Sequence, residues 1–167
     1  MSTNRRILIA VILILVLAGV VIGVDLLQRA TPKRLPGTAI PLSPGSVPIY
    51  LNGELTGGFA PADLENLEQV SFTDAEEGKL QDGWLLREVM LLYVPANKLK
   101  PEAQIVISSS SRNKSIQLTW AEVNEQANMV MFDLSNRGTL KLVSLLPQLD
   151  RRDEWVQDVD RIEVTQP

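Results

Sequence analysis

Apolar positions are distributed along this chain in two different ways. From Ile7 to Val24 they run without interruption (ILIAVILILVLAGVVIGV) behind Arg5 and Arg6, and Leu26 and Leu27 continue the run past Asp25. A hydrocarbon core of roughly 30 Å takes about 20 helical residues, and a helix satisfies its own backbone polar groups, so such a run can cross lipid. The pattern predicts a transmembrane signal anchor over residues 7–27. The run exceeds the about 7–15 apolar residues of a cleaved signal, and the residues after it, Val24-Asp25-Leu26-Leu27-Gln28, offer no small-x-small cleavage site. Arg5 and Arg6 place residues 1–6 in the cytoplasm and the remainder outside it, as a single-pass protein of the cell membrane. Arg29, Lys33 and Arg34 just beyond the run reduce that charge asymmetry and can touch anionic lipid. Gly19 and Gly23 form a small-xxx-small pair, a spacing that lets two membrane helices approach closely and offers a route to a homodimer.

Beyond the anchor the pattern becomes short and punctuated. Residues 28–46 contain Pro32, Pro36, Pro41 and Pro44 with Gly37 and Gly45, which removes backbone donors and argues against helix or central strand. This stretch reads as a semi-extended linker. Residues 47–167 have the size of one domain. In it Val47–Leu51 predicts a strand, with Asn52-Gly53 as a hairpin turn to a short partner near Leu55. Pro61–Leu67 predicts a short helix with Pro in its first turn. Gln69–Thr73 alternates as a strand, Asp82-Gly83 reads as a turn, and Trp84–Tyr93 has apolar residues at helical spacing up to Val94-Pro95. Ala103–Ser108 and Ser115–Leu118 are strands. Thr119 with Glu122 forms a capping box for a helix over Trp120–Gln126. Met129–Leu134 and Leu140–Leu146 are strands joined at Asn136-Arg137-Gly138, and Asp160–Thr165 closes the domain. The expected fold class is α+β, a mixed strand-rich domain with short helices, preceded by the one N-terminal transmembrane helix.

Composition narrows the chemistry. The chain has no Cys and no His, so it lacks the commonest transition-metal ligands and two of the commonest catalytic side chains. Acidic residues outnumber basic ones, 20 to 16, which argues against nucleic acid as a partner. No phosphate-binding glycine loop and no nucleophile elbow is present. Asp74, Glu76, Glu77 and Asp82 cluster, but without the spacing of a calcium loop they read as a solvated surface, and no metal is expected. Ser108–Ser111 followed by Arg112-Asn113-Lys114 offers hydroxyls and cations, so Ser110, Ser111, Arg112 and Lys114 are the candidate ligand loop for an anion. The same residues also suit an ordinary polar hairpin tip. Arg151 and Arg152 are the other clustered loop cations. Trp84, Trp120 and Trp155 read as core anchors.

The order of segments resembles a known family. The strand and turn Val47–Gly53, the DLENL helix, the strand Gln69–Thr73, the DGWLLREVM segment, a strand-loop-strand, the TWAEVNE capped helix, a hairpin and the closing WVQDVDRIEV follow one another as in the oxidoreductase molybdopterin-binding domain, the fold of the sulfite oxidase family. The resemblance spans about Val47 to Val164. It implies that fold, and it implies molybdopterin as the family's cofactor. The family's molybdenum is held by a Cys after the strand that follows the DLxxL helix, and here that neighbourhood reads Val70-Ser71-Phe72-Thr73-Asp74-Ala75. A carboxylate cannot replace a thiolate without changing metal preference. No cofactor residue carries over, and no cofactor is expected. The expectation is a membrane-anchored extracytoplasmic binding or assembly module, with partners in a membrane redox or envelope complex. The alternatives are a molybdopterin-dependent oxidoreductase with atypical ligation and a sensor or carrier of a small anionic ligand.

Overall fold

A computed structural model describes residues 41–167 of the chain. The expected anchor at 7–27, the Gly19/Gly23 pair and most of the linker lie outside the described residues. Among the described residues no helix is long and apolar enough to cross a membrane.

The strand-rich α+β class is observed. Among the described residues, ten strands form two five-stranded sheets. The first holds β1 (Val47–Leu51), β2 (Glu54–Phe59), β5 (Gln104–Ser109), β6 (Lys114–Thr119) and β10 (Arg161–Thr165), in the order β2-β1-β10-β5-β6. The second holds β3 (Gln69–Thr73), β4 (Leu80–Leu85), β7 (Met131–Leu134), β8 (Leu140–Val143) and β9 (Val156–Gln157), in the order β3-β4-β7-β8-β9. The chain's last strand is thus inserted beside its first, in the parallel β1–β10 pairing, and every other pairing is antiparallel. Among the described residues two α-helices, α1 (Leu86–Tyr93) and α2 (Trp120–Asn124), join strands of the two sheets.

Period-2 burial explains why the strands sit where they do. In β5, Ile105, Ile107 and Ser109 are buried and their neighbours are not. Ile49, Phe59, Ile105, Ile107, Leu118, Ile162 and Val164 of the first sheet meet Trp84, Phe132, Leu140, Leu142 and Val156 of the second in one core, with Leu86, Val89 and Met90 of α1. A smaller cluster of Leu85, Met131, Val143 and Trp155, with Val70 and Phe72 against it, holds other residues of the second sheet. That sheet therefore carries apolar residues on both faces.

Local signals account for most boundaries. Asn52 and Gly53 both take positive φ, the conformation that a two-residue hairpin turn needs. Thr119 Oγ1 accepts from Glu122 N–H while Glu122 accepts from Thr119 N–H, the reciprocal box expected from sequence. α1 ends at Val94, whose extended backbone precedes Pro95.

Several expectations are corrected. Asp82-Gly83 is not a turn but the middle of β4, where Gly83 pairs with Val70 on one side and Asp133 on the other. Glycine serves there because the Phe132 carbonyl occupies the space a Cβ would need. Trp84 and Leu85 are strand residues, and the helix begins only at Leu86, because Trp84 pairs with Gln69 and Phe132. Pro61–Asn66 is a 3-10 helix and not an α-helix. The Trp120 helix stops at Asn124, and a 3-10 turn at Gln126–Asn128 leads to Met129 in the left-handed conformation, so the next strand starts at Met131. Ser144 ends β8 early by turning its hydroxyl onto the Asn128 carbonyl.

Candidate functional site

The strongest concave feature lies on the second sheet, where β4 outruns β7. The two strands pair only over Gly83–Leu85 and Asp133–Met131. β4 continues to Leu80, while β7 ends at Leu134 and enters its turn. The space between them is a cleft of about 580 Å³, within the size range of ligand pockets.

One register row crosses this sheet beside the cleft: Gly83, Asp133, Lys141 and Gln157 are successive cross-strand partners. Opposite charges at Asp133 and Lys141 make this a paired row. Lys141 Nζ lies 2.8 Å from Asp133 Oδ2, donates to Gln81 Oε1 at 2.8 Å and sits 4.9 Å from the centre of the Trp155 ring. Gln81 passes the chain on, its Nε2 donating to Asp74 Oδ2 at 2.9 Å. Asp74, Gln81, Lys141 and Asp133 therefore form one continuous polar network along the cleft. Burial pushes the Asp133 carboxyl above its usual range despite Lys141, and the charge of Asp82 pushes the same way. Asp74 is pulled the other way, held below its usual range chiefly by the Glu77 amide.

The wall beside this network is pinned by charge. Glu77 pairs with Lys79 at 2.5 Å and with Arg152 at 3.3 Å, and Glu76 accepts from the Arg152 backbone N–H. Exposed pairs of this kind contribute little energy, but they tie the 74–79 turn to the loop before Trp155. Lys79 and Arg152 hold the Glu77 carboxyl below its usual range. Two exposed leucines stand among the polar residues of the mouth, Leu80 at 62% and Leu134 at 44%. Trp84 lines the cleft, is only 3% exposed, and its buried Nε1 has no hydrogen-bond partner. A buried indole N–H without an acceptor is costly, which makes it a notable departure in an otherwise satisfied wall.

A second hollow of about 260 Å³ adjoins the cleft, lined by Arg112, Lys114, Arg152, Asp153, Trp155 and Gln157. Arg152, Trp155 and Gln157 belong to both. The candidate ligand loop is therefore divided. Arg112 and Lys114 reach this hollow, where the fold adds Arg152 to them. Ser110 and Ser111 do not line it: Ser110 donates its N–H and its hydroxyl to Asp160, and the Ser111 hydroxyl bonds that of Ser109. Arg112 pairs with Asp158 at 2.6 Å, and Lys114 donates to the Asp153 carbonyl. Arg151 faces Asp153 instead. The acidic cluster is likewise dispersed into turn closure and ion pairs, and among the described residues no group of three acidic, His or Cys side chains is placed to hold a metal. All three tryptophans are buried as expected, two of them at the cleft. Sequence reasoning passed over Gln81, Asp133, Lys141 and Gln157. The available signal was a lone acid in MVMFDL and a lone base in LKLV, two apolar strands flanking one hairpin.

No known protein family matches this chain, and no curated protein matches it.

Proposed function

We propose that this chain is a membrane-anchored module that works outside the cytoplasm and docks its partner in the β4–β7 cleft, on a molybdopterin-oxidoreductase-like fold that works without the cofactor. The observation that carries the docking reading is the open cleft where β4 outruns β7, with two exposed leucines, Leu80 and Leu134, among its polar lining residues. A bound partner that fills the cleft covers Leu80 and Leu134.

What supports the cofactor-free reading is the donor set. The chain has no thiol. Asp74, in the Val70–Ala75 neighbourhood where the resemblance would put the family's Cys, has both carboxylate oxygens committed: Oδ1 accepts from Glu77 N–H, and Oδ2 accepts from Lys79 N–H and Gln81 Nε2. Those bonds close the 74–79 turn, so the carboxylate is a structural brace. These residues do not fit a thiolate-held molybdenum.

The absence of native Cys supplies the test. Leu134→Cys in the full chain carries the only thiol and accepts a photoactivatable maleimide probe in native membranes. A discrete cross-linked adduct, absent from a Glu65→Cys control on the far-exposed 3-10 turn, is expected. Equal labelling from the two positions overturns the docking reading.

A further inference from the structure

We infer that the occupant of the cleft is an extended acidic peptide of a partner protein, added as a strand along β4 at Leu80–Asp82. This rests on the docking reading above and names the partner's chemistry. Three observations support it.

The first is a half-paired edge. β4 is paired with β3 from Thr73–Leu80 to Gln69–Trp84, but its ladder with β7 stops at Gly83–Asp133. The Leu80–Asp82 stretch thus has a strand on one side only. Natural edges are blunted by charges, proline or bulges; this one carries Asp82 as its one charge and begins with an exposed leucine. Main-chain pairing to such an edge is a recurring mode of peptide recognition.

The second is the pair of exposed leucines. Leu80 and Leu134 stand on the two sides of the cleft, and alternate side chains of an added strand can cover them. A small anion alone leaves both leucines exposed.

The third is charge complementarity. The adjoining hollow is lined by three cations, Arg112, Lys114 and Arg152, and one carboxylate, Asp153, and the two arginines share their other carboxylates. Arg112 shares Asp158 with Arg137, Arg152 shares Glu77 with Lys79, and Lys114 donates only to a backbone carbonyl. Arg152 lines both spaces, so a strand leaving the Leu80 edge across the cleft brings its acidic residues to this surplus.

The test pans a random heptapeptide display library on the full chain in detergent micelles. Enriched sequences are expected to alternate apolar residues with Asp or Glu. The winning peptide is expected to bind Arg152→Glu and Leu134→Asp about tenfold or more weakly, and an N-methylated copy that cannot pair with β4 is expected to lose about tenfold even against the unaltered protein. The N-methylated peptide keeps the test independent of variant folding. Failure to enrich any peptide, enrichment of basic peptides, equal binding of the N-methylated copy, or displacement of the peptide by millimolar phosphate each overturns the inference. If Leu134→Cys still cross-links while the library yields nothing, the cleft docks a partner of another kind and only the peptide inference falls. If both fail, the docking reading falls with it.

Discussion

Gly83→Ala is a small substitution with a large expected effect. Gly83 does not take a left-handed φ, so alanine is conformationally acceptable and the penalty is steric. A Cβ there would lie 1.9 Å from the Phe132 carbonyl oxygen, 2.7 Å from its carbon and 3.1 Å from the Asp133 Cα. Since a methyl needs at least about 3 Å from a backbone oxygen, β7 must retreat by roughly 1.1 Å or more. The obstacle is backbone in a sheet and has no rotamer to change. A retreat of that size takes N–H···O contacts of about 2.9 Å beyond hydrogen-bonding range. The β4–β7 ladder spans only three residue pairs, so little of it survives. Losing about two buried bonds costs about 2–4 kcal/mol, offset by about 0.4–1 kcal/mol from the less flexible unfolded chain. The net loss of about 2–3 kcal/mol corresponds to a melting temperature lower by about 10 °C for a domain of this size. Differential scanning fluorimetry of the full chain in detergent measures it, with Gly78→Ala as the comparison. Gly78 has φ +66° and open space around it, so it bears only left-handed strain of about 1 kcal/mol. Gly83→Ala melting within about 2 °C of the unaltered protein, or above Gly78→Ala, would refute the close-approach argument.

Two other substitutions probe separate parts of the fold. Asp158 sits in the left-handed conformation and ties three elements together, accepting from Thr139 at 2.6 Å, Arg112 and Arg137. The Thr139 bond, then the two guanidinium groups, hold its carboxyl below the usual range. The stability it contributes is therefore present above the unfolded value of about 3.9 and lost as pH falls through the lower folded value. Asp158→Asn, which tolerates the backbone, is expected to melt lower at pH 7, with the gap closing below about pH 4 in a pH series of melts. Thr119→Ala removes the reciprocal cap of α2 and is expected to cost about 1 kcal/mol in urea unfolding, with Thr119→Ser retaining most of it.

The legible parts of the domain were those specified by neighbours in sequence. The Asn52-Gly53 turn, the Thr119–Glu122 box and the alternation of Ile105 and Ile107 each carry their cause within a few residues. Asp82-Gly83 misled because the same dipeptide that favours a turn also suits a strand crossed closely by another backbone, and only the fold brings Phe132 there. Trp84–Leu85 was read as helix because a fully buried strand and a helix start share one apolar run. The candidate loop was half legible. Arg112 and Lys114 do reach a hollow, but their companion Arg152 arrives from a distant loop, and Ser110 is claimed by Asp160. The Asp74–Gln81–Lys141–Asp133 network was invisible because its members come from three strands and a turn, with no spacing that links them.

The most direct test of the cofactor-free binding module is elemental and pterin analysis of the full chain, expressed in a molybdenum-sufficient host and purified gently. Neither molybdenum nor released pterin in proportion to protein is expected, because the donor set around Asp74 is committed to closing a turn. Molybdenum and pterin near one per chain would contradict the account and make this a redox enzyme with an unusual ligand set.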